Sequence, residues 1–272
     1  MTRTNIASKN QIIESTDSYN IVIIGAGNVS THISRHFHSA GHHISCIFSR
    51  TEASAQQLAG EHGVPGTSNI EEVPAEADFY ILAVPDRAVL EVAKLFRHCT
   101  GIWLHTSGAL PMNLFQGIFE HYGVLYPFQT LSRSRPLKPS QVPCLVEGSS
   151  PDVTASVKKL AWSVYDSVED VDSQNRLVIH AAAVFANNFS YHMVHIAKEL
   201  IAGQKLDPKV LDPLLQETFE KIKTMGAVDG RTGPAVRGDK ETMNKHRELL
   251  KDHPEWEKLY TFISRDIIRS RE

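Results

Sequence analysis

Short runs of β-branched and aromatic residues alternate with amphipathic stretches through the first half of the chain. The runs predict strands at Ile21–Ile24, Ile44–Ser49, Phe79–Val84, Ile102–His105, Gly123–Tyr126 and Cys144–Glu147. Helical spacing separates the early runs, at Val29–Ala40, Ala53–His62 and Arg87–Phe96. Strands that alternate with helices are typical of a parallel sheet, because parallel neighbours need a crossover connection. We therefore predict an α/β domain with a mostly parallel sheet.

The pattern changes near residue 170. Beyond it the β-type runs stop, and helical patterns follow at Gln174–Ala202, Pro208–Met225, Lys240–Lys251 and Glu255–Arg269. We expect a flexible arm at residues 1–18, a sheet domain at 19–170 and an all-helical domain at 171–272. The arm is rich in Ser, Thr and Asn and lacks the apolar core of a signal peptide.

Composition excludes several classes of partner. The chain has 28 Lys and Arg against 31 Asp and Glu, a net charge of −3, which lacks the basic surplus of a nucleic-acid binder. Its longest apolar stretches fall far short of the ~20 residues that span a bilayer. The 3 cysteines are odd in number and widely separated, which favours reduced thiols in the cytoplasm over a disulfide framework.

A glycine-rich turn follows the first predicted strand. It reads Gly25-Ala26-Gly27-Asn28-Val29-Ser30 and enters a helix. In a dinucleotide site the first glycine makes the tight turn, the second lets a pyrophosphate approach, and the helix N-terminus binds that anion. We assign Gly25, Gly27, Asn28 and Val29 to the pyrophosphate; the alternative is an ordinary glycine turn.

The tip of the second strand indicates which cofactor binds. It reads Ser49-Arg50-Thr51 and carries no carboxylate for a ribose hydroxyl. Arg50 can bind a 2′-phosphate through charge-assisted hydrogen bonds. These three residues therefore favour NADP over NAD. Two observations keep the alternative open: Glu52 lies close by, and Arg50 could be an ordinary solvated surface residue.

Two further strand ends contribute candidates, because ligands of open α/β sheets bind beyond the carboxyl ends of strands. We predict cofactor contacts at Val84, Pro85, Thr106 and Ser107, and a substrate contact at Gly108. His105 also lies at a strand end; the alternative is that it is a buried histidine of the core.

These motifs resemble a known bacterial family. The resemblance rests on Gly25–Ser30, Ser49–Thr51, Ala83–Asp86, Tyr126–Thr130 and Gly233–Asp239, and it covers about residues 19–270. The family comprises NADP oxidoreductases of undefined substrate, with a Rossmann-type domain and a helical C-terminal domain of unknown function. It is similar in architecture to pyrroline-5-carboxylate reductase, to deazaflavin-dependent NADP oxidoreductases and to 3-hydroxyacid dehydrogenases. The resemblance implies hydride transfer with NADP, a site between the domains and a homodimer built through the helical half.

The catalytic residue departs from the pattern of the 3-hydroxyacid dehydrogenases. Their helix carries Lys-x-x-x-Asn, whereas Ala183 and Val184 stand four residues before Asn187 and Asn188 here. His180 is the nearest residue that could replace the missing lysine as an acid or base, because histidine exchanges protons near neutral pH. We predict His180 and Asn187 as catalytic residues and Asn188 as a substrate contact; the alternative for His180 is a structural hydrogen bond. The two asparagines are expected to be buried amides with partners.

Three loops complete the prediction. Arg237 could clamp a substrate carboxylate, while Asp239 could hold Arg237 or cap the next helix. Tyr126–Gln129 is expected to line the cleft, and Arg133–Lys138 to form a solvated basic loop.

The sequence thus predicts an NADP-dependent oxidoreductase that acts on a small carbonyl or imine compound. The alternative is a non-catalytic NADP-binding sensor or interaction protein, which the missing lysine favours. A methyltransferase-like protein is a third alternative, weakened by Arg50 and by the helical domain.

Overall fold

The computed structural model describes residues 18–270. Apart from Ser18, the predicted N-terminal arm lies outside them. The strands are β1 Asn20–Ile24, β2 His43–Phe48, β3 Gly66–Thr67, β4 Glu76–Leu82, β5 Thr100–His105, β6 Tyr122–Pro127, β7 Cys144–Gly148 and β8 Val168–Asp170. They form one sheet in the order β3-β2-β1-β4-β5-β6-β7-β8.

All neighbouring strands in this sheet are parallel except β6 and β7. The chain builds outward from β1 through β2 to β3, then returns to place β4 on the other side of β1. Connections that leave β1 and β4 toward opposite faces open a crevice beyond their carboxyl ends. The fold therefore prepares a ligand site where residue 25 follows β1 and residue 83 follows β4.

Ten helices accompany the sheet within the described residues. They are α1 Asn28–Ser39, α2 Glu52–Gly60, α3 Asp86–Leu95, α4 Pro151–Trp162, α5 Ser173–Ala183, α6 Ser190–Gly203, α7 Asp212–Met225, α8 Pro234–Arg237, α9 Lys240–Leu249 and α10 Pro254–Arg269. A π-helical segment, Val184–Phe189, joins α5 to α6. None of these helices has the length and apolar character that a membrane span requires.

Strand alternation divides the core into two layers. Ile21 and Ile23 of β1 pack on one face of the sheet, and Val22 and Ile24 pack on the other. Successive side chains of a strand point to opposite faces, so a run that is apolar at every position must be covered on both sides. The three cysteines are buried free thiols, as the sequence predicts.

The chain divides into two compact units between Phe185 and Ala186. The first unit contains the sheet, α1–α4 and also α5. The second contains α6–α10, and among its described residues only Ala235 and Leu250 are buried hydrophobics. Many of its large apolar side chains are exposed, including Phe189, Tyr191, Val210, Leu214, Val228, Leu249 and Phe262.

The predicted fold class is confirmed: a mostly parallel sheet precedes an all-helical C-terminal region. Strands β3 and β8 went unpredicted because two and three residues carry no readable period. Helix α4 was missed too, although Ser150 caps it by accepting a hydrogen bond from the Val153 N–H. The predicted single helix Gln174–Ala202 is interrupted by the π-helical segment.

Candidate active site

The glycine turn lies at the crevice between β1 and β4. Gly25 has φ +117°, and a Cβ there would stand 2.3 Å from the Ala83 carbonyl oxygen, so no larger residue fits. Ser30 is buried, and its hydroxyl donates to the same carbonyl at 3.3 Å. It packs α1 close to the sheet, where such motifs usually carry Gly or Ala.

Gly27 differs from Gly25 in what surrounds it. Its φ of −88° suits any residue, and a Cβ would meet nothing within 4 Å. Packing within the chain therefore gives no reason for a glycine here, whereas a ligand that approaches the backbone does. Helix α1 begins at Asn28 with no side-chain cap and no acid in its first turn. Its first N–H groups and the positive end of its dipole suit a bound pyrophosphate.

The tip of β2 presents its cation to solvent. Arg50 is exposed and makes no ion pair with any described residue. Ser49 donates its N–H to the Thr67 carbonyl, and the Thr51 hydroxyl donates to Ser54 at 2.8 Å. The basic and hydroxyl groups that suit a 2′-phosphate are therefore adjacent in this turn.

Glu52 is engaged elsewhere. One carboxylate oxygen accepts from the Ser68 N–H at 2.6 Å, and the other accepts from Gln56 at 2.7 Å. The hydrogen bonds from Ser68 hold the pKa of Glu52 below its usual value. The Glu52 carboxylate therefore ties the first turn of α2 to the Ser68 backbone.

The ends of β4 and β5 form the wall next to the turn. Val84 packs on the apolar layer that contains Val22, and Pro85 is the residue before α3. The Thr106 hydroxyl donates to the Leu82 carbonyl at 3.2 Å. Ser107 is buried, and its hydroxyl accepts from two backbone N–H groups of the same loop, those of Ala109 and Leu110. Its hydroxyl thus has a structural role.

His180 reaches the same edge of the sheet from α5. Its Nδ1 lies 3.1 Å from the hydroxyl oxygen of Tyr126, at the end of β6, and both side chains are half-buried. A Cβ on Gly108 would stand 2.6 Å from His180 Nδ1 and 2.8 Å from Tyr126 Cζ. Gly108, Tyr126 and His180 therefore form one packed cluster, which we call the histidine cluster.

Electrostatics fix the proton in this pair. Burial, and then the Asp86 carboxylate, raise the pKa of Tyr126, while Arg176 opposes them. Tyr126 therefore keeps its hydroxyl proton near neutral pH, so the phenol can act as a donor in its contact with His180 Nδ1. With Nδ1 as the acceptor, the ring N–H is the one on Nε2.

A buried ion pair holds α5 against the sheet. The Arg176 side chain is fully buried, pairs with Glu147 of β7 and donates to the Leu110 carbonyl at 2.7 Å. Ser173 donates to Glu147 at 2.8 Å and accepts from the Met112 N–H at 2.8 Å. Arg176 lies one helical turn before His180, so this network sets where the imidazole lies.

Sequence reasoning missed Arg176. The available signal was a basic residue at the first turn of an apolar helix, opposite a glutamate that ends a strand, but which carboxylate it meets depends on the tertiary fold. His105 is fully buried and contacts the Phe115 ring, the geometry of a core histidine. Burial lowers its pKa to about 3, and Arg176 contributes to that decrease.

The remaining predicted residues belong to the second unit. Asn187 and Asn188 lie on the π-helical segment, half-buried and exposed respectively, so the prediction that they are buried amides is wrong for this chain. Arg237 is exposed at the end of α8. Asp239 caps α9 by accepting from the Thr242 N–H at 3.0 Å, which is the simpler of its two predicted roles.

Comparison with known proteins identifies the family. A provisionally named NADP oxidoreductase from Bacteroides fragilis is 35% identical in sequence, and the alignment covers 94% of this chain and 100% of that one, with a TM-score of 0.87. The chain belongs to the same family. Residues 20–100 match the model described as "NADP oxidoreductase coenzyme F420-dependent", and residues 142–267 match a domain of unknown function, DUF2520. The resemblance given by the sequence motifs is thereby confirmed.

More distant structures share the family's fold. A pyrroline-5-carboxylate reductase from Streptococcus pyogenes is 13% identical, covers 93% of this chain and 99% of its own, and has a TM-score of 0.64. A reductive aminase from Aspergillus terreus, solved with NADPH and ethyl-5-oxohexanoate, is 15% identical, covers 93% and 95%, and has a TM-score of 0.69. No protein of curated function matches the sequence. The chain is therefore a member of an NADP oxidoreductase family with a Rossmann-type domain.

Proposed function

We propose that this protein transfers hydride between NADP and a small carbonyl or imine compound. The observation that carries the proposal is the histidine cluster, which brings the Tyr126–His180 pair to the carboxyl edge of the same sheet as the glycine turn. Two of the proteins that share the fold are named as reductases or aminases, and one was solved with NADPH and a keto ester.

The chain offers a distinct group for each part of the cofactor. Gly25, Gly27, Asn28 and Val29 would hold the pyrophosphate, while Ser49, Arg50 and Thr51 would hold the 2′-phosphate. Val84, Pro85, Thr106 and the Ser107 backbone would border the nicotinamide end. Bound NADPH supplies hydride chemistry there. The open space above Gly27 and the uncapped N-terminus of α1 are the features that fit the cofactor.

Reduction of a C=O or C=N group also needs a proton on the oxygen or nitrogen. His180 Nε2–H is our candidate donor, since Nδ1 is engaged by Tyr126. Gly108 keeps the backbone close to the ring and would contact the substrate. Arg237 and the two asparagines of the π-helical segment are our candidates for substrate orientation, because a guanidinium binds carboxylates and an amide can donate and accept.

The decisive experiment is a panel of small keto acids, imines and hydroxy acids, followed at the absorbance band of NADPH. Turnover that falls at least a hundredfold in His180→Gln, with an unchanged dissociation constant for NADPH, supports the proposal. Turnover that is equal in the variant removes His180 from the mechanism. Tight NADPH binding with no turnover on any substrate favours the alternative, a non-catalytic NADP-binding sensor, which the absence of a lysine one turn before Asn187 also favours.

We also propose that two copies associate through the helical unit. The helical unit exposes Val210, Leu214 and Phe262, large apolar side chains that an interface between two copies would cover. Sedimentation velocity should give twice the 30.3 kDa mass of one chain. Phe262→Glu should shift the population toward one chain mass; a wild-type protein of one chain mass at micromolar concentration would contradict the proposal.

A further inference from the structure

Arg133 lies across the glycine turn, far from it in sequence. Its Nη2 donates to the Ala26 carbonyl at 2.5 Å, its Nε donates to the Thr31 hydroxyl at 3.2 Å, and its backbone N–H donates to Asn28 Oδ1 at 3.2 Å. The sequence predicts a solvated loop here, and for Arg133 that prediction is wrong. The guanidinium is instead fixed beside the first turn of α1.

Side chains of α1 hold the loop that carries this arginine. His32 Nε2 bonds to the Ser132 carbonyl at 3.0 Å, and His36 Nε2 bonds to the Leu137 carbonyl at 2.8 Å. Both bonds flank Arg133 along the chain. The loop is therefore pinned on either side of the cation, which restricts where the guanidinium can move.

The charge of Arg133 is not neutralised at short range. Among the described residues no carboxylate forms an ion pair with it, and Glu61, the acid whose pKa it helps to lower, pairs with Arg35 at 2.8 Å. The first turn of α1 carries no acid. The cation therefore adds to the positive end of the helix dipole at the place where Gly27 leaves open space.

We propose that Arg133 binds the pyrophosphate of the dinucleotide. NADPH and NADH both contain this group, so the contact would be the same for both. This inference rests on the proposed function. A guanidinium presents several N–H donors in one plane, which suits the oxygens of adjacent phosphates, and Nη1 makes no hydrogen bond with the described residues of this site. Arg50, on the tip of β2, has a different target, the 2′-phosphate that NADH lacks.

The test measures dissociation constants of NADPH and NADH for the full chain and for Arg133→Gln, Arg133→Lys and Arg135→Gln. Glutamine removes the charge but keeps an N–H donor at the position of Nε, which bonds to the Thr31 hydroxyl. We expect Arg133→Gln to weaken both dinucleotides by the same factor, about tenfold, which corresponds to about 1.4 kcal/mol. Lysine should restore part of the affinity. Arg135 is exposed in the same loop, so Arg135→Gln is the matched control and should bind like the wild type.

The salt dependence of NADH binding separates charge from structure. Because NADH has no 2′-phosphate, its dependence on ionic strength reports on the pyrophosphate contacts, and Arg133→Gln should flatten it. A purely structural role would lower the thermal unfolding midpoint of the nucleotide-free protein and leave the salt slope unchanged.

Three results would overturn the inference: equal dissociation constants in Arg133→Gln and wild type, a loss confined to NADPH, or an unchanged salt slope. A wild-type protein that binds neither dinucleotide overturns the proposed function, and this inference with it. Wild-type binding that Arg133→Gln leaves intact overturns the inference alone.

Discussion

The hydroxyl of Tyr126 lies 3.1 Å from Nδ1 of His180, and Gly108 packs against both at a distance that leaves no room for a Cβ. The pair joins a strand end to a helix that arrives about fifty residues later in the chain. In the proposed mechanism this contact orients the imidazole, and Nε2 is the nitrogen that would give the proton.

Removing the Tyr126 hydroxyl tests that relationship. Tyr126→Phe should lower kcat by about tenfold or more and leave the dissociation constant of NADPH unchanged, because the imidazole loses the bond that orients it. Stopped-flow measurement of NADPH oxidation gives both quantities. Tyr260 makes a similar bond to His246 Nδ1 at 2.9 Å in the helical unit, so Tyr260→Phe is the matched control. Equal losses of kcat in the two variants would show that the effect is not specific to the histidine cluster.

Filling the space at Gly108 should have a similar effect by a steric route. The new methyl group of Gly108→Ala would displace the imidazole or the phenol ring, which are 2.6 and 2.8 Å away. We expect kcat to fall while the protein stays folded, as checked by circular dichroism. Gly60→Ala is the comparison, because its Cβ would meet nothing within 4 Å and a helical alanine stabilises by about 0.5–1 kcal/mol. Unchanged kcat in Gly108→Ala would show that the cluster tolerates rearrangement.

Cofactor selectivity should depend on Arg50. Arg50→Ala removes a charged partner of the 2′-phosphate and should weaken NADPH by about 1–3 kcal/mol, with NADH unaffected. Isothermal titration with both dinucleotides measures the difference. Arg97 is also exposed, at a distance in sequence from the strand tips, and Arg97→Ala should change neither affinity. Parallel weakening of NADPH and NADH in Arg50→Ala would refute the assignment.

The buried ion pair predicts a large stability effect. Glu147→Gln leaves the Arg176 charge buried without a counter-ion, which should lower the free energy of unfolding by about 3–5 kcal/mol. Urea denaturation measures the change, and the double variant Arg176→Met with Glu147→Gln should recover part of it. Glu241→Gln, which breaks the exposed pair with Lys245, should cost no more than about 1 kcal/mol. A loss of that small size in Glu147→Gln would contradict the prediction.

His105 predicts how stability depends on pH. Burial lowers its pKa from 6.5 to about 3 in the folded protein, so the unfolded chain binds the extra proton between these values. The stability that this histidine contributes is complete above pH 6.5 and is lost as the pH falls toward 3. Near pH 5 the unfolding free energy of the wild type should rise with pH, and His105→Asn should lower that slope by about 1.4 kcal/mol per pH unit. Urea titrations of both proteins at pH 5 and pH 7.5 measure how much the unfolding free energy changes between the two pH values. An equal change in the two proteins would exclude His105 as its cause.

The sequence predicted the parts of this protein that depend on local patterns. The Gly25 turn and the Arg50 tip are readable because glycine conformation, strand period and charge are properties of neighbouring residues. His180 was singled out by its place on a helix. The sequence could not show that its partner is Tyr126, because that pairing depends on the order of strands in the sheet.

By itself the sequence determined the first motif, an apolar, β-branched strand that is followed by glycines and a helix. Few folds besides a sheet with a dinucleotide-binding turn fit this pattern. Only the tertiary structure decided that Arg176 is buried against Glu147 and that Arg133 reaches the turn from a loop 105 residues after Asn28. The spacing of apolar residues indicates which face of an element is buried, but no such spacing shows that a charged side chain is buried. Their partners are set by packing between distant segments, and that packing converts two ordinary arginines into a support for His180 and a cation beside the glycine turn.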